Sequence, residues 1–395
     1  MRRMKVNYLF TRWIFLLFIS GCVKEGHNFQ YSGQLLYPTA EINIFTEPYL
    51  ENDQLSFAYH STDTGQLDHV FNFDILHNLT EKKLQINTPG SFVLQSILKT
   101  SSGQYLGACI DKSKTQLEYV VVLFDKNLNP IRDLIIKDSL LSIGIFKSLK
   151  NGDYILQYTS VKFKGFGLVC FDKDLGFKWQ KRIQPGFTAS FTPSDISITD
   201  NNIHVLSKFN DGNYFVSTID LQGNITGSTL PSSGNISAEK ICGTPNGFFT
   251  FGYFLRADKR QSIFIHRYDI TSKLIESKIL ETDGFSYGDV YFFYFVSDVL
   301  LLNNAFYFTV NVNNLTTLNE KVTQVKLVKL HSDLNIEWVK MLDSKRKVDS
   351  KGFLAGSDYL LTEGQNLVNV GVSIWNGLQG LSIIKSDLEG NIINQ

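Results

Sequence analysis

Four aspartates near strand-like runs are the side chains best placed for acid–base chemistry: Asp195, Asp283, Asp289 and Asp298. Glycoside cleavage, for example, needs two carboxylates about 5–10 Å apart in an open cleft. The chain contains no GxSxG, HExxH, P-loop or calcium-loop motif. Residues from separate loops can converge in a fold, so the missing motifs weigh little against an enzyme. Because turn capping explains each aspartate more simply, we predict no catalytic residue and favour a non-enzyme.

Cysteine and histidine usage indicates neither a disulfide framework nor a metal site. Cys109, Cys170 and Cys242 lie in the apolar runs LGACI, GLVCF and EKICG, and we predict that they are small buried hydrophobic residues. Three cysteines cannot all pair within one chain. No cysteine or carboxylate completes a familiar ligand pattern around the most closely spaced histidines, which are His60, His69 and His77. The sequence therefore predicts no metal and no cofactor.

The N-terminus has the features of an export signal that ends on a cysteine. Residues 1–21 contain four basic and no acidic residues, and an apolar stretch at Trp13–Ile19 is far shorter than the roughly 20 residues of a spanning helix. The run Ile19-Ser20-Gly21-Cys22 resembles the lipobox of bacterial lipoproteins. That resemblance implies a diacylglyceryl group on the Cys22 thiol, cleavage before Cys22 and acylation of the new amine. An ordinary signal peptide with a chance cysteine is the alternative.

The residues that follow the cysteine bear on localisation. Val23, rather than an aspartate, follows the cysteine, and this resembles the outer-membrane sorting pattern. Val23-Lys24-Glu25 also resembles the Lys-acidic tag of surface lipoproteins. Several acyl chains, at roughly 0.8 kcal/mol per buried methylene, hold a protein on a bilayer almost permanently. We therefore expect anchoring in the outer membrane through lipid, at the cell surface or on the periplasmic face.

Charge makes nucleic acid an unlikely partner class for the exported chain. Without residues 1–21, the chain has 34 Lys+Arg and 38 Asp+Glu. Nucleic-acid readers usually carry a basic excess or basic stripes. The one dense basic run, residues 345–347, is flanked by Asp343 and Asp349 and has the composition of a solvated loop.

Two signals recur together along the chain at intervals of about fifty residues. The first is a hairpin-type turn before an aromatic-rich strand, and it uses Asn and Gly because tight two-residue turns demand positive φ. The second, roughly twenty residues later, is an apolar run that ends in a polar turn. The residues that begin these polar turns are Asp74, Asp125, Asp172, Asp220, Asp269, His331 and Asp387. They are 51, 47, 48, 49, 62 and 56 residues apart, which leaves room for about four strands in each unit.

Four-stranded units at this spacing predict an all-β fold, a β-propeller with seven blades, or with six or eight. One short sheet cannot bury its own faces, whereas blades around an axis cover one another. The final strand, Asn391 to Ile393, is short, and the segment Gln30–Leu36 could pair beside it to close the ring. We therefore divide the chain into a signal peptide (1–21), a lipidated tether (22–30) and a single propeller domain (31–395).

One unit carries a further resemblance. In FDKDLGFKWQKRI, the residues Asp172, Gly176 and Trp179 resemble the Asp-turn-Gly-Trp pattern of PQQ-repeat, or quinoprotein-like, blades, and HSDLNIEWVKML repeats it with Trp338. The other units lack the tryptophan. That family implies tryptophans packed between blades, and it includes outer-membrane lipoproteins that act as assembly scaffolds.

Two functions follow from these observations. The first is a non-catalytic binding or scaffold propeller, anchored at the outer membrane, with a protein or glycan partner. The alternative is a hydrolase or lyase acting on a polysaccharide or another polymer, with acidic residues from several blades meeting at the mouth of the channel. The side chains on the innermost strands discriminate between the two.

Overall fold

A computed structural model describes nineteen stretches of the chain, all of them strands and the turns between them. The described residues are 29–31, 34–38, 48–51, 54–60, 67–74, 79–86, 92–113, 118–136, 140–160, 165–184, 191–209, 213–230, 236–255, 261–280, 292–316, 320–342, 346–348, 359–375 and 378–393. Within these ranges no helix has the length and apolar character that a membrane crossing requires.

The described residues form thirty strands. The first fourteen are β1 (Phe29–Tyr31), β2 (Gln34–Pro38), β3 (Tyr49–Glu51), β4 (Gln54–His60), β5 (Leu67–Asp74), β6 (Leu79–Gln85), β7 (Phe92–Lys99), β8 (Tyr105–Asp111), β9 (Glu118–Phe124), β10 (Pro130–Ile136), β11 (Leu140–Ser148), β12 (Tyr154–Ser160), β13 (Phe166–Phe171) and β14 (Phe177–Ile183). The next eight are β15 (Phe191–Ile198), β16 (Asn202–Phe209), β17 (Tyr214–Asp220), β18 (Ile225–Thr229), β19 (Ile236–Thr244), β20 (Gly247–Leu255), β21 (Gln261–Asp269) and β22 (Leu274–Leu280). The last eight are β23 (Phe292–Leu302), β24 (Ala305–Thr316), β25 (Glu320–His331), β26 (Ile336–Met341), β27 (Arg346–Val348), β28 (Tyr359–Glu363), β29 (Asn366–Trp375) and β30 (Leu378–Asp387).

These strands form seven antiparallel sheets, each with a path of four strands. Blades 1 to 6 are β3–β6, β7–β10, β11–β14, β15–β18, β19–β22 and β23–β26, with β27 beside β25. Blade 7 runs β28-β29-β30-β2, with β1 outside β2. The first strands of successive blades contact one another from β7 through β11, β15, β19 and β23 to β28, and β28 contacts β3. The molecule is therefore a seven-bladed β-propeller, as the repeat predicted.

The predicted hairpin turns join the first strand of a blade to the second. Asn303 and Asn304 both have positive φ (50° and 61°), the geometry of a two-residue hairpin turn between β23 and β24. Gly103, Gly152 and Gly364 supply the positive φ at the corresponding turns of blades 2, 3 and 7. The first predicted turn, at residues 52–53, lies outside the described residues.

The polar turns join the third strand of each blade to the fourth, and we call them the outer turns. In Asp125–Asn129, Asp125 Oδ1 accepts hydrogen bonds from the N–H groups of Asn127 and Asn129, both at 2.8 Å. The Asn129 bond, the larger of the two effects, holds the pKa of Asp125 below its ordinary value. The fourth residue of each turn has a left-handed conformation: Leu128, Leu175, Gly223, Ser272, Leu334 and Gly390.

A separate apolar cluster fills each of the six joints from blades 1 and 2 to blades 6 and 7. Blades 5 and 6, for example, share a cluster that includes Phe251, Ile265, Phe306 and Phe308, all fully buried. Leucines in the left-handed position of an outer turn join these clusters, and Leu334 is one of them. A leucine in this conformation costs about 1–2 kcal/mol, and burying its side chain offsets that cost by about 1.5–3 kcal/mol.

Both ends of the chain build the fourth strand of blade 7. Ile392 forms a bridge with Ser386, and Ile393 N–H donates to Lys385 O at 2.9 Å. β2 then continues along β30, from Gln34 beside Ile384 to Pro38 beside Gly380. The expected closure of the ring by the N-terminal segment is confirmed, with the paired residues shifted to Gln34–Pro38. Phe29 and Gln30, which we had placed in the tether, lie in β1.

Candidate functional site

The innermost strands carry the candidate site. β11 contains two register shifts, and four of the other innermost strands share a one-residue bulge. The extra residue in each interrupts the pairing with the second strand of the blade, at Gln95, Ser194, Glu239 and Ser297. A bulge re-aims the side chain that follows it. In blades 4, 5 and 6 the following residues are Asp195, Lys240 and Asp298, so charged groups occupy equivalent positions on three consecutive inner strands.

Asp195 connects the inner strand of blade 4 to that of blade 5. Its Oδ2 accepts a hydrogen bond from Ile241 N–H at 2.9 Å, and its Oδ1 lies 4.0 Å from Lys240 Nζ. Two residues further along, Ser197 Oγ accepts from Gly243 N–H at 2.7 Å. The first strand of a sheet leaves a row of N–H groups unpaired. Blade 4 therefore satisfies part of that row on blade 5 with side chains.

Asp298 forms the same kind of connection from blade 6 to blade 7. Its Oδ2 accepts from Leu360 N–H at 2.9 Å, and its Oδ1 accepts from the neighbouring Val299 N–H at 2.9 Å. Removal from water raises the pKa of Asp298, and the charge of Lys240 acts against that increase. Each oxygen of this carboxylate thus holds a main-chain donor.

Lysines make the cluster mixed in charge. Lys147 of blade 3 and Lys240 of blade 5 both lower the pKa of Asp298, and the charge of Asp195 raises it. Lys240 keeps 20 % of its side chain exposed, and Asp195 keeps 14 %. A general acid or base must reach the proton that it transfers. Three of the four oxygens of Asp195 and Asp298 accept main-chain hydrogen bonds, two of them from the next blade, and Asp195 Oδ1 faces Lys240 Nζ.

Several sequence predictions fall outside the described residues. These are the aspartates Asp283 and Asp289 and the lipobox residues Ile19, Ser20, Gly21 and Cys22. In the part of the chain that the structure does describe, no group of three His, Cys, Asp or Glu residues could hold a metal ion.

The prediction for the three later cysteines is confirmed. Cys109, Cys170 and Cys242 are buried free thiols, and burial raises the pKa of each to about 12. They are therefore unreactive packing residues.

Sequence reasoning missed a buried polar network between blades 4 and 5. Tyr214 Oη lies 2.8 Å from His266 Nδ1 and 2.8 Å from Tyr268 Oη. Nearby, His204 Nδ1 lies 3.1 Å from Thr218 Oγ1. Burial lowers the pKa of both histidines to about 4, so they are neutral at pH 7. Tyr214, the first residue of β17, meets His266 and Tyr268 only when blades 4 and 5 lie side by side, and no sequence spacing marks such a set.

The two tryptophans that drew attention in the sequence do pack between blades. The ring of Trp179 in blade 3 lies so close to Gly223 of blade 4 that a Cβ on that glycine would be 2.9 Å from it. Trp179 Nε1 also donates to Leu221 O at 2.9 Å. The ring of Trp338 in blade 6 covers Gly390 of blade 7, with a corresponding separation of 2.6 Å. Both are structural joints.

Comparisons with known proteins give the fold. No protein-family profile matches the chain, and no curated protein sequence matches it. A solved structure from work on two prolyl endopeptidases superposes with a TM-score of 0.55 at 10% identity, over 88% of this chain and 48% of that chain. This chain is a propeller. At that identity the likeness shows the fold alone, and the propeller spans about half the length of the endopeptidase chain.

Two further solved structures resemble the propeller less closely by TM-score. The WD40 domain of Toxoplasma gondii coronin superposes with a TM-score of 0.49 at 12% identity, over 91% of this chain and 87% of that one. The β-propeller domain of the Trilobed protease from Pyrococcus furiosus, described as having an open velcro topology, gives 0.49 at 9% identity, over 89% and 96%.

Proposed function

We propose that this protein is an outer-membrane lipoprotein whose propeller binds or scaffolds a partner without catalysing a reaction. Cys22 would carry the lipid, in the lipobox completed by Ile19, Ser20 and Gly21. The partner would be a protein or a glycan presented at the cell envelope. PQQ-like features are confined to the Trp179 and Trp338 joints, so the proposal includes no quinone cofactor.

One observation supports the non-catalytic part of this proposal: the inner-strand carboxylates accept hydrogen bonds from the next blade. Asp195 binds Ile241 N–H, and Asp298 binds Leu360 N–H. Both oxygens of Asp298 hold main-chain donors, and Asp195 Oδ1, the remaining oxygen of the pair, faces Lys240 Nζ at 4.0 Å. A general base needs an oxygen that can take the substrate's proton. Loops on a rigid scaffold are where binding residues collect, and a closed ring is such a scaffold.

The anchor is tested by expressing the full chain in a bacterium with lipoprotein processing. Mass spectrometry of the N-terminal peptide should find Cys22 acylated, and Cys22→Ser should move the protein from the outer-membrane fraction to the soluble fraction. A bare Cys22 on the mature wild-type protein would contradict the proposal.

The enzyme alternative is supported by a single observation, the raised pKa of Asp298 beside Asp195 and Lys240. Perturbed carboxylates in a cleft mark active sites in many proteins. A panel of envelope polysaccharides, assayed for both binding and new reducing or unsaturated ends, separates the two functions. Binding without turnover supports a scaffold. Turnover that is lost in Asp298→Asn and Asp195→Asn, but kept in the outer-turn variant Asp174→Asn, would establish the enzyme.

A further inference from the structure

The position of the first strand determines which part of the propeller lies nearest the membrane. In blade 7 the order from outside to inside is β1-β2-β30-β29-β28. β28 contacts the inner strands of both neighbouring blades, so β1 is the strand farthest from the axis. The chain therefore enters the fold at the outer rim of blade 7.

The register of β1 gives the direction from which the chain arrives. Phe29 pairs with Leu36, and Tyr31 pairs with Gln34. Gln34 lies beside Ile384, near the outer turn of blade 7, whereas Pro38 lies beside Gly380, away from that turn. The chain thus runs toward the outer turns along β1, and Phe29 lies at the end of β1 away from those turns.

The distance between the lipid and this rim is short. Cys22 precedes Phe29 by seven residues. A fully extended chain spans at most about 3.3–3.6 Å per residue, so Phe29 lies within about 25 Å of a lipidated Cys22. A tether of this length keeps blade 7 close to the bilayer, so the seven blades cannot approach the bilayer equally.

The charge of the outer turns also favours an orientation in which these turns lie away from the bilayer. The six described outer turns contain eight acidic residues and three lysines. Hydrogen bonds keep the Asp269 and Asp333 carboxylates ionised: a bond from Thr271 Oγ1 lowers the pKa of Asp269, and a bond from Asn335 N–H lowers that of Asp333. An anionic bilayer surface repels such a face.

From this placement we infer that the outer rim of blade 7, formed by β1 and β2, faces the bilayer and that the outer-turn face is held away from it. Blades 3 and 4, across the ring, are then farthest from the lipid. The inference rests on the proposed lipid anchor at Cys22.

The orientation is tested on the full lipidated chain in vesicles of phosphatidylethanolamine and phosphatidylglycerol that contain a rhodamine-labelled lipid. A maleimide donor dye is placed at the third residue of an outer turn, a position equivalent in every blade. The four variants are Glu389→Cys, Asn127→Cys, Asp174→Cys and Gln222→Cys, in blades 7, 2, 3 and 4. Cys109, Cys170 and Cys242 are buried and will not compete for dye.

Energy transfer to the lipid should be highest at Glu389→Cys, and about twofold lower or less at Asp174→Cys and Gln222→Cys, because the short tether fixes blade 7 near the surface. A 20-residue Gly/Ser insertion between Asn28 and Phe29 should remove this gradient while the protein stays bound, since such linkers are flexible coils.

Equal transfer at all four positions on membrane-bound protein would overturn the orientation and leave the anchor intact. Higher transfer at blades 3 and 4 than at blade 7 would overturn it as well. Protein that stays soluble with an unmodified Cys22 would overturn the proposed anchor, and with it this inference.

Discussion

Two joints of the ring, between blades 3 and 4 and between blades 6 and 7, share the same packing of a tryptophan on a glycine. They differ in the hydrogen bonding of the tryptophan. In both, a tryptophan from the earlier blade covers a left-handed glycine in the outer turn of the later one. Trp179 Nε1 donates to Leu221 O, whereas Trp338 Nε1 is buried without a hydrogen-bond partner among the described residues. Blade 4 is built from one continuous segment, while blade 7 is completed by both chain ends.

This difference shows that a repeated motif conserves shape more easily than it conserves every polar contact. The ring of Trp338 packs at the same place as that of Trp179, and the nearby hydrogen bond from Lys340 Nζ to Asn391 Oδ1, at 2.7 Å, leaves Trp338 Nε1 unpaired among the described residues. A buried unpaired donor costs about 1–3 kcal/mol. We therefore expect the joint at blade 7 to be the weaker one and the first to open.

Removing β2, the strand that closes the ring, should lower the free energy of unfolding more than any other change proposed here. Deletion of residues 29–38 from a non-lipidated chain leaves the edge of β30 without the five residue pairs that β2 provides. At about 0.5–1.5 kcal/mol per hydrogen bond, the loss is several kcal/mol of unfolding free energy. Thermal unfolding should occur at a much lower temperature or become non-cooperative, whereas deletion of residues 23–28 should change little. An unchanged melting curve would show that blade 7 does not need its N-terminal strand.

Acid should weaken the joint between blades 4 and 5 selectively. His204 and His266 have pKa values of about 4 in the folded protein and about 6.5 when unfolded, so the unfolded chain binds more protons between these values. The stability that they contribute is full above pH 6.5 and is lost as the pH falls toward 4. Between pH 7 and pH 5 the loss is about 2 kcal/mol per histidine.

Urea titrations at pH 7 and pH 5 measure this loss. Asp298, whose pKa is raised, contributes a change of the opposite sign, so the comparison is made with a His204→Gln/His266→Gln variant. That variant should have a flatter pH dependence than the wild type. Equal slopes would mean that the histidines do not carry the acid sensitivity.

Adding a methyl group to the covered glycines should disturb both tryptophan joints. Gly223→Ala and Gly390→Ala place a Cβ 2.9 Å and 2.6 Å from the tryptophan rings, in a conformation that already strains alanine. The matched control is Gly152→Ala, because Gly152 has φ of +84° with nothing within 4 Å of a Cβ. We expect about 1 kcal/mol for the control and about 2–3 kcal/mol for the other two. Equal losses at all three sites would show that the rings move aside freely.

Replacing each tryptophan by phenylalanine should give the smallest loss of unfolding free energy, and it compares the hydrogen bonding of the two joints directly. Trp179→Phe removes a hydrogen bond and leaves Leu221 O unpaired, at a cost of about 1 kcal/mol beyond the lost packing. Trp338→Phe removes a donor that has no described partner, so it should cost less. Chemical denaturation of the two variants measures the difference, and a larger loss for Trp338→Phe would reverse the ranking of the two joints.

The sequence predicted the repeat, the seven blades and the composite closing strand, because these depend on local signals. Asp125 and its equivalents mark turns through their own side-chain chemistry, and Asn303-Asn304 marks a hairpin through its φ preference. The inner-strand bulges could not be predicted, since the extra residues have no common type: Gln95, Ser194, Glu239 and Ser297.

The hydrogen bonds of the candidate site could not be predicted from the sequence either. Asp195 and Asp298 were noticed as carboxylates near inner strands, but their acceptor role depends on N–H groups 46 and 62 residues away. Such contacts arise only when neighbouring sheets are fixed side by side. Turn capping, the explanation that the sequence favoured, was therefore wrong for these two residues.

In four hydrogen bonds of the described residues, a side chain of one blade binds the main chain of the blade that follows it in the sequence. Asp195, Ser197, Asp298 and Trp179 each bind a blade made after their own. On a ribosome these groups would remain unsatisfied until about fifty further residues emerged, and β2 would remain unpaired until β30, the last strand made, was available. A ring that is closed by its earliest strand can be completed only when the whole chain is present.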